Sequence, residues 1–171
     1  MNALRLIAPV LLALSGGQAA IVTAQKGLPA EPAKVLYYPA DANGAEVLGR
    51  ALTGAAARNH RAVIVFGADW CHDSRALAKV LTSPAFESEF AARYDISFID
   101  VGKPQTGAGH NLALVERLGV KNLKSTPALF VISPQGILLN GKKDAVGWRN
   151  ADSRTSEAII TWFRALDKKQ R

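Results

Sequence analysis

The feature that most constrains the fold is a short, continuous apolar run at residues 62–66, which ends at Gly67. The run is rich in β-branched residues and lacks the polar and apolar alternation of a strand with one side in water. Such a run is typical of a strand buried on both faces, as in sheets that helices cover on both sides. The sequence therefore predicts an α/β protein built around this strand.

Other strands and helices are predicted on either side of this run. We expect further strands at residues 35–38, 96–101, 128–132 and 137–139, with the last two joined into a hairpin by residues 133–136. Helices are expected over residues 44–55, after Cys71, from the N-cap Ser83 onward, around 114–118 before Gly119, and over 159–166. The glycine-rich residues 102–109 are expected to form a loop. This alternation favours a central mixed β-sheet flanked by helices on both faces.

The first residues have the pattern of a secretory signal peptide. Residues 1–5 carry one positive charge and no acid, residues 6–14 are apolar, and residues 15–24 are rich in small side chains. Cleavage is expected after Ala24, with Ala19 as the alternative site. The other interpretation is an uncleaved membrane anchor, but glycines and a glutamine interrupt the apolar run. We therefore expect an exported protein, periplasmic or secreted, that has no stable membrane insertion after cleavage.

The rest of the chain is expected to form one domain. A chain of 171 residues with 49% hydrophobic residues can bury one core but is short for two domains. Residues 25–34 contain two prolines and are predicted to form an extended arm. The domain itself is assigned to residues 35–171.

The chain is basic, with a formal net charge of +7. Positive charge of this size favours acidic partners or anionic surfaces in general. Along the sequence the charges cluster only at Lys142 and Lys143 and at the tail, residues 168–171, and no nucleic-acid-binding motif accompanies them. We therefore predict a solvated basic surface and no nucleic-acid partner.

The chain has a single cysteine, Cys71. A lone cysteine in an exported protein cannot form an internal disulfide, so it is either buried and structural or free and reactive. A thiol is nucleophilic as the thiolate, which the free N–H groups at a helix N-terminus stabilise. Cys71 is predicted at such a position, followed by His72, whose protonated ring would add positive charge, and by Asp73, which works in the opposite direction.

Residues 70–74, Trp-Cys-His-Asp-Ser, follow the buried strand directly and resemble the Trp-Cys-x-x-Cys site of the thioredoxin family. A second landmark agrees, because Thr126-Pro127 precedes the apolar run 128–132 as the cis-proline does in that family. The resemblance covers about residues 35–168 and looks most like exported bacterial thioredoxin-like proteins. It implies a thioredoxin-like fold in which Cys71 is the nucleophile and Pro127 lies beside the sulfur, where its backbone pairs with substrate peptides.

Two departures from the family pattern bear on activity. Ser74 stands where thioredoxins have their second cysteine, so the intramolecular step that releases a mixed disulfide is lost. Val65 stands where thioredoxins carry a buried acid. Efficient thioredoxin-like reduction is therefore not expected, whereas a monothiol cycle, in which an outside thiol releases the mixed disulfide, remains open.

Two functions are consistent with these residues. The first is an exported monothiol thiol–disulfide oxidoreductase or isomerase, with Cys71 as nucleophile, Ser74 stabilising its thiolate, and a substrate site formed by Trp70, His72, Thr126 and Pro127. The second is a non-catalytic binding module that holds a partner protein in the groove near Trp70 and Pro127, since fold does not imply function. We expect a monomer with no bound cofactor that acts on protein or glutathione thiols and disulfides, with glutathione as a co-substrate.

Other candidate sites are weaker. No metal site is predicted, because Cys71, His72 and Asp73 are adjacent at a helix start and the remaining histidines, His60 and His110, are isolated. The glycines at 107 and 109 lack the lysine and the spacing of a phosphate-binding loop. Of three further side chains, Trp162 is predicted in the core, Trp148 as a surface contact in a polar loop, and Lys124 as an ordinary solvated lysine or one that attracts a carboxylate near the sulfur.

Overall fold

A computed structural model describes residues 35–169. Its strands are β1 (Arg61–Gly67), β2 (Tyr94–Asp100), β3 (Gly102–Lys103), β4 (Ala108–Gly109) and β5 (Ala128–Ile132). Its α-helices are α1 (Gly44–Ala57), α2 (His72–Leu81), α3 (Pro84–Phe90), α4 (Leu112–Arg117), α5 (Lys142–Ala145) and α6 (Ser156–Lys169). Two 3₁₀ turns, Pro104–Thr106 and Ala151–Ser153, lie between them.

The central sheet has three strands in the order β2-β1-β5. The middle strand, β1, pairs in parallel with β2 and antiparallel with β5. The connection from β1 to β2 carries α2 and α3, as a parallel pair requires. The predicted mixed sheet, with its central buried strand, is confirmed, and β3 and β4 form a separate two-stranded ribbon.

Alternating side chains of the three strands supply two hydrophobic cores, one on each face of the sheet. Val63 and Val65 of β1 point into an aromatic core, which α2, α3 and α6 cover. Ile64 and Phe66 point into an aliphatic core, which α1 and α4 cover. Helices therefore lie on both faces, as predicted, and we refer to these as the aromatic face and the aliphatic face.

Local signals located several helix ends correctly. The Asn43 side chain caps α1 by accepting the N–H groups of Ala45 and Glu46, and the Ser83 hydroxyl accepts the N–H of Phe86 at the start of α3. Gly119, with a φ of +94°, follows α4 in the left-handed conformation that glycine adopts readily. These ends were predictable because each cap contacts only its own sequence neighbours.

Three predictions about elements were wrong. Residues 35–38 do not form a strand, because Asp69 takes the N–H groups of Tyr37 and Tyr38 that a neighbouring strand would need. The expected loop at 102–109 contains the ribbon β3 and β4 and a 3₁₀ turn.

The third wrong prediction is the hairpin at residues 128–139. Its second arm is reduced to a bridge between Ile132 and Leu138, since the Asn140 side chain occupies the rest of the edge of β5. The Asn140 amide accepts the N–H of Val131 at 2.8 Å and donates to the carbonyl of Leu129 at 2.9 Å. A side chain thus replaces the backbone of the missing strand.

A fourth prediction, which placed Trp148 at the surface as a contact residue, was wrong. Trp148 is buried, with 1% of its surface exposed. Its ring packs edge-on against Trp162 at 5.0 Å, and the guanidinium of Arg154 lies 4.7 Å from its centre. Phe163 and Trp162 belong to the same aromatic face, so the prediction that the stripe of α6 is core is confirmed.

The predicted signal peptide, its cleavage sites and the arm at 25–34 lie outside the described residues. Within residues 35–169, none of the helices combines the length and the hydropathy that a membrane span needs.

Candidate thiol site

Cys71 lies at the start of α2, four residues beyond the end of the central strand. It is the N-cap residue of the helix, with extended backbone angles, and its side chain accepts no hydrogen bond from the first helical turn. The carbonyl of Ala68 accepts the N–H of Cys71 at 3.0 Å and thereby closes the turn between β1 and α2. The capping side chain therefore leaves the first N–H groups of α2 free. Free N–H groups at a helix N-terminus stabilise a thiolate at this position.

The sulfur contacts the Thr126-Pro127 segment. Cys71 Sγ lies 3.6 Å from the carbonyl oxygen of Thr126, to which the thiol donates. The Thr126–Pro127 peptide bond is cis, as the resemblance implies, and both residues are buried. Cys71 is 6% exposed, so its sulfur lies just below the surface against a polar carbonyl.

Trp70 lies at the exposed rim of this site. Its side chain is 44% exposed, and the indole Nε1–H donates to the carbonyl of Gly102 at 2.9 Å. This bond ties the rim to the ribbon formed by β3 and β4. Asp100 fixes the start of the ribbon, because its carboxylate accepts the N–H of Gly102 at 2.9 Å and lies 2.6 Å from Nε2 of His110.

A tyrosine that sequence reasoning missed completes the buried side of the site. The Tyr38 hydroxyl donates to the backbone carbonyl of Ser74 at 3.1 Å. Asp69 holds this tyrosine in place, since its two carboxylate oxygens accept the N–H groups of Tyr37 and Tyr38, each at 3.0 Å. The available signal was Asp69 itself, an acid directly before Trp70 with no partner nearby in the sequence.

The Tyr38 phenol remains a neutral hydrogen-bond donor. Burial raises its pKa well above the ordinary value, and the negative charges of an ionised Cys71 and of Asp69 raise it further. The ring packs edge-on against Phe98 with centroids 5.3 Å apart. A rigid O–H group, close enough to feel the charge of Cys71, therefore faces the start of α2.

Gly67 allows this approach. A Cβ atom at position 67 would lie 2.6 Å from the Tyr38 ring and 2.8 Å from Oγ of Ser74, closer than nonbonded atoms pack. The glycine that ends the central strand therefore makes room for both side chains.

The chain matches no protein-family model and no curated protein. Among solved structures it is similar to the crystal structure of a disulphide isomerase from Xylella fastidiosa Temecula1, with 26% sequence identity and a TM-score of 0.68. The similarity covers 78% of this chain and 98% of that one. The chain has a thioredoxin-like fold.

Within the thioredoxin-like fold, the two departures noted in the sequence are both buried. Val65 is fully buried on the aromatic face. Ser74 is also fully buried, and its hydroxyl has no hydrogen-bond partner among the described residues. That hydroxyl is next to the Tyr38 ring, since both crowd the space at Gly67.

A cluster of one histidine and two acids flanks the other side of the α2 N-terminus. Nε2 of His72 lies 3.5 Å from a carboxylate oxygen of Asp73 and 3.5 Å from one of Asp152. Asp152 lies beside the start of α2 because the 3₁₀ turn Ala151–Ser153 packs on that helix. The backbone N–H of Asp152 donates to the Asp73 carboxylate at 3.1 Å. His72 and Asp73 thus lie close to Asp152, which is distant in the sequence. The order of residues around Cys71 did not predict this third member. The cluster, in which His72 and Asp152 are exposed and Asp73 is buried, does not by itself indicate an ion.

Burial raises the pKa of Asp73, and the nearby Asp152 carboxylate raises it further. The backbone N–H of Asp152 and the imidazole of His72 act in the opposite direction. The ionised form of Asp73, two residues beyond the nucleophile, is therefore disfavoured in the folded protein, and protonation is favoured.

Proposed function

We propose that this protein is an exported, periplasmic or secreted thiol–disulfide oxidoreductase or isomerase that acts through mixed disulfides at Cys71. The observation that carries the proposal is the contact between Cys71 Sγ and the Thr126 carbonyl, 3.6 Å apart, at the N-terminus of α2. The similarity to a disulphide isomerase supports the same class of chemistry.

The reaction begins with ionisation of the thiol. The Sγ–H bond to the Thr126 carbonyl is given up, and the free N–H groups of the first turn of α2 remain to stabilise the thiolate. The thiolate attacks one sulfur of a substrate disulfide, a Cys71–substrate bond forms, and the substrate's S–S bond breaks. The second substrate sulfur leaves as a thiolate.

Release requires a thiol from outside the chain, because Cys71 is its only cysteine and Ser74 cannot form a disulfide. A second substrate thiol that attacks the mixed disulfide gives a rearranged disulfide with no net oxidation. Glutathione that attacks instead frees Cys71 and leaves a glutathione–substrate disulfide, so it serves as a co-substrate. The protein needs no bound cofactor in either case.

Substrate recognition is assigned to the residues around the sulfur. Trp70 offers a half-exposed aromatic surface, and His72 offers an exposed ring that adds positive charge when protonated. Thr126 and Pro127 provide a backbone segment against which an extended substrate can lie. The protein is proposed to act as a monomer.

The test is mixed-disulfide formation with oxidised glutathione and with a disulfide-bonded peptide, followed by intact-protein mass spectrometry. We expect one adduct per chain at Cys71, none with Cys71→Ser, and release by added thiol. In a second arm, Ser74→Cys is expected to supply the missing thiol and to yield dithiol reductase activity. A folded parent protein that forms no adduct with either disulfide would overturn the proposal.

The second candidate is a binding module without catalysis. It is favoured by the low exposure of Cys71 and by a groove of about 510 Å³ beside Trp70, which Leu36, Tyr38 and Asp100 help to line. A cysteine-free unfolded polypeptide distinguishes the two. Its binding, read from intrinsic tryptophan fluorescence, should survive Cys71→Ala under this candidate, and the parent protein should form no disulfide adduct.

A further inference from the structure

Five positive side chains that are separated in the sequence gather on one surface beside the thiol site. We define the basic face as Lys121, Lys124, Lys142, Lys143 and Arg149, all of them exposed. They line two hollows of about 270 and 250 Å³, which share Val120, Lys121 and Val146 and are therefore continuous. The sequence showed only the pair at 142 and 143.

Several arginines of the fold are paired with carboxylates, whereas the five basic-face side chains have no carboxylate partner among residues 35–169. Elsewhere, Arg58 pairs with Asp95, Arg61 and Arg93 with Asp167, and Arg164 with Glu89 and Glu157. Among residues 35–169, no carboxylate oxygen lies within 4.0 Å of a basic-face side-chain nitrogen. From 119 to 149 the chain carries these five cations and one acid, Asp144.

The basic face adjoins, along the chain, the segment that contacts the sulfur. Ser125 lines one hollow together with Lys124. The next residue, Thr126, has its carbonyl oxygen 3.6 Å from Sγ of Cys71. A ligand on the basic face therefore extends toward the position at which a substrate disulfide is attacked.

The shape favours a polypeptide over a small anion. A small anion is usually held by donors that converge on one point, whereas these cations are spread along two hollows. Val120 and Val146 form an apolar floor beneath them, which suits the side chains of an extended peptide. We propose that the basic face docks an acidic segment of the protein substrate and delivers the adjoining disulfide to Cys71.

This inference rests on the proposed function and specifies its substrate class. Exposed charges act mainly by attracting the partner and raising the association rate, and salt screens that attraction over about 10 Å at 0.1 M ionic strength. The inference therefore concerns the rate of mixed-disulfide formation.

The test uses three disulfide-linked peptides, identical around the disulfide, whose flanking run is glutamate, serine or lysine. We measure the second-order rate constant of mixed-disulfide formation at Cys71 for each. At low ionic strength the glutamate peptide is expected to react at least about tenfold faster than the lysine peptide, and at about 0.5 M salt the ratio should approach one.

Charge reversal locates the effect. Lys121→Glu with Lys143→Glu is expected to lower the glutamate-to-serine rate ratio severalfold. The matched control, Lys79→Glu with Lys168→Glu, changes the net charge equally at the far ends of α2 and α6 and should keep the ratio. Equal ratios in the two double variants would overturn the basic face as the docking surface.

The serine peptide separates this failure from failure of the proposed function. If it forms no mixed disulfide, the thiol chemistry itself is wrong. If it reacts while charge has no effect, only the basic face is wrong. A single-stranded oligonucleotide is the competitor, and inhibition equal to that of a polyglutamate peptide would overturn the assignment to acidic polypeptides.

Discussion

The two faces of the central sheet are built from different side chains and support different parts of the thiol site. Among residues 35–169, the aromatic face holds six ring contacts among Phe86, Phe90, Tyr94, Trp162 and Phe163, whereas the aliphatic face holds one, between Phe66 and Phe130. The helix that begins after Cys71 packs on the aromatic face. The segment that contains Thr126 follows Leu123, which packs on the aliphatic face.

The thiol site therefore lies where two separately packed cores meet. Tyr38 and the helix α2, which begins after the sulfur-bearing residue, pack on the aromatic face. The segment that carries the Thr126 carbonyl is anchored on the aliphatic face through Leu123. A change in one core should therefore move one side of the contact between Cys71 and Thr126 relative to the other.

The largest expected effect tests the aromatic face directly. Phe163→Ala should lower the free energy of unfolding by about 3–5 kcal/mol, because it opens a cavity and removes four ring contacts. Phe130→Ala, which loses one ring contact, should cost about 1–2 kcal/mol less. Urea unfolding measures both. Equal costs would show that the faces do not differ in this way.

The next effect compares two glycines. Gly67→Ala should destabilise the protein by about 1–3 kcal/mol, since the new methyl group meets the Tyr38 ring and Ser74 at less than 3.0 Å. Gly49→Ala on the helix α1 of the aliphatic face meets nothing within 4 Å and should stabilise it by about 0.5–1 kcal/mol. Thermal unfolding gives the sign of each, and a stabilising Gly67→Ala would contradict the crowding.

A smaller effect joins stability to reactivity. Tyr38→Phe removes one buried hydrogen bond, which should cost about 0.5–1.5 kcal/mol, and should slow Cys71 alkylation about two- to fivefold by removing a nearby donor. Ile132→Val is the control, with a similar cost in stability but on the aliphatic face. An alkylation rate that changes equally in both variants would mean that Tyr38 acts through stability alone.

The smallest effect is a change in pH dependence. The pKa of Asp73 is higher in the folded protein than in the unfolded chain, so the folded state binds more protons and stability falls as pH rises through that window. Asp73→Asn keeps an oxygen acceptor for the N–H of Asp152 and removes the charge. The variant should be more stable than the parent at pH 7, and the gain should vanish below the ordinary aspartate pKa of about 3.9.

Chemical unfolding at several pH values tests this prediction, with the exposed Asp41→Asn as the control. A loss of stability at pH 7 in Asp73→Asn alone would mean that the carboxylate is favoured by its neighbours more than it is opposed by burial.

Much of the fold was predictable because its signals are local. The apolar run at 62–66 predicted β1, the Asn43 and Ser83 caps predicted the starts of α1 and α3, and Gly119 predicted an end. Residues 35–38 failed for the opposite reason. Their apolar pattern suits a strand, but a carboxylate more than thirty residues away took their N–H groups.

The site was predictable in part for the same reason. Residue order alone placed Cys71 at the start of a helix, and the family resemblance located Thr126 and Pro127 beside it. Tyr38, Asp152 and the basic face were not predictable, because each joins residues that only the packed chain brings together.

The sequence by itself determined most of the helices, the buried central strand and the position of the lone thiol at a helix N-terminus. Each of these follows from periodicity, capping and turn preferences among near neighbours. Tertiary structure alone decided which carbonyl the sulfur contacts, which hydroxyl bonds to the start of the same helix, and which cations gather on one surface without a carboxylate partner among residues 35–169. Burial and charge pairing depend on contacts between distant segments, which the order of residues does not state.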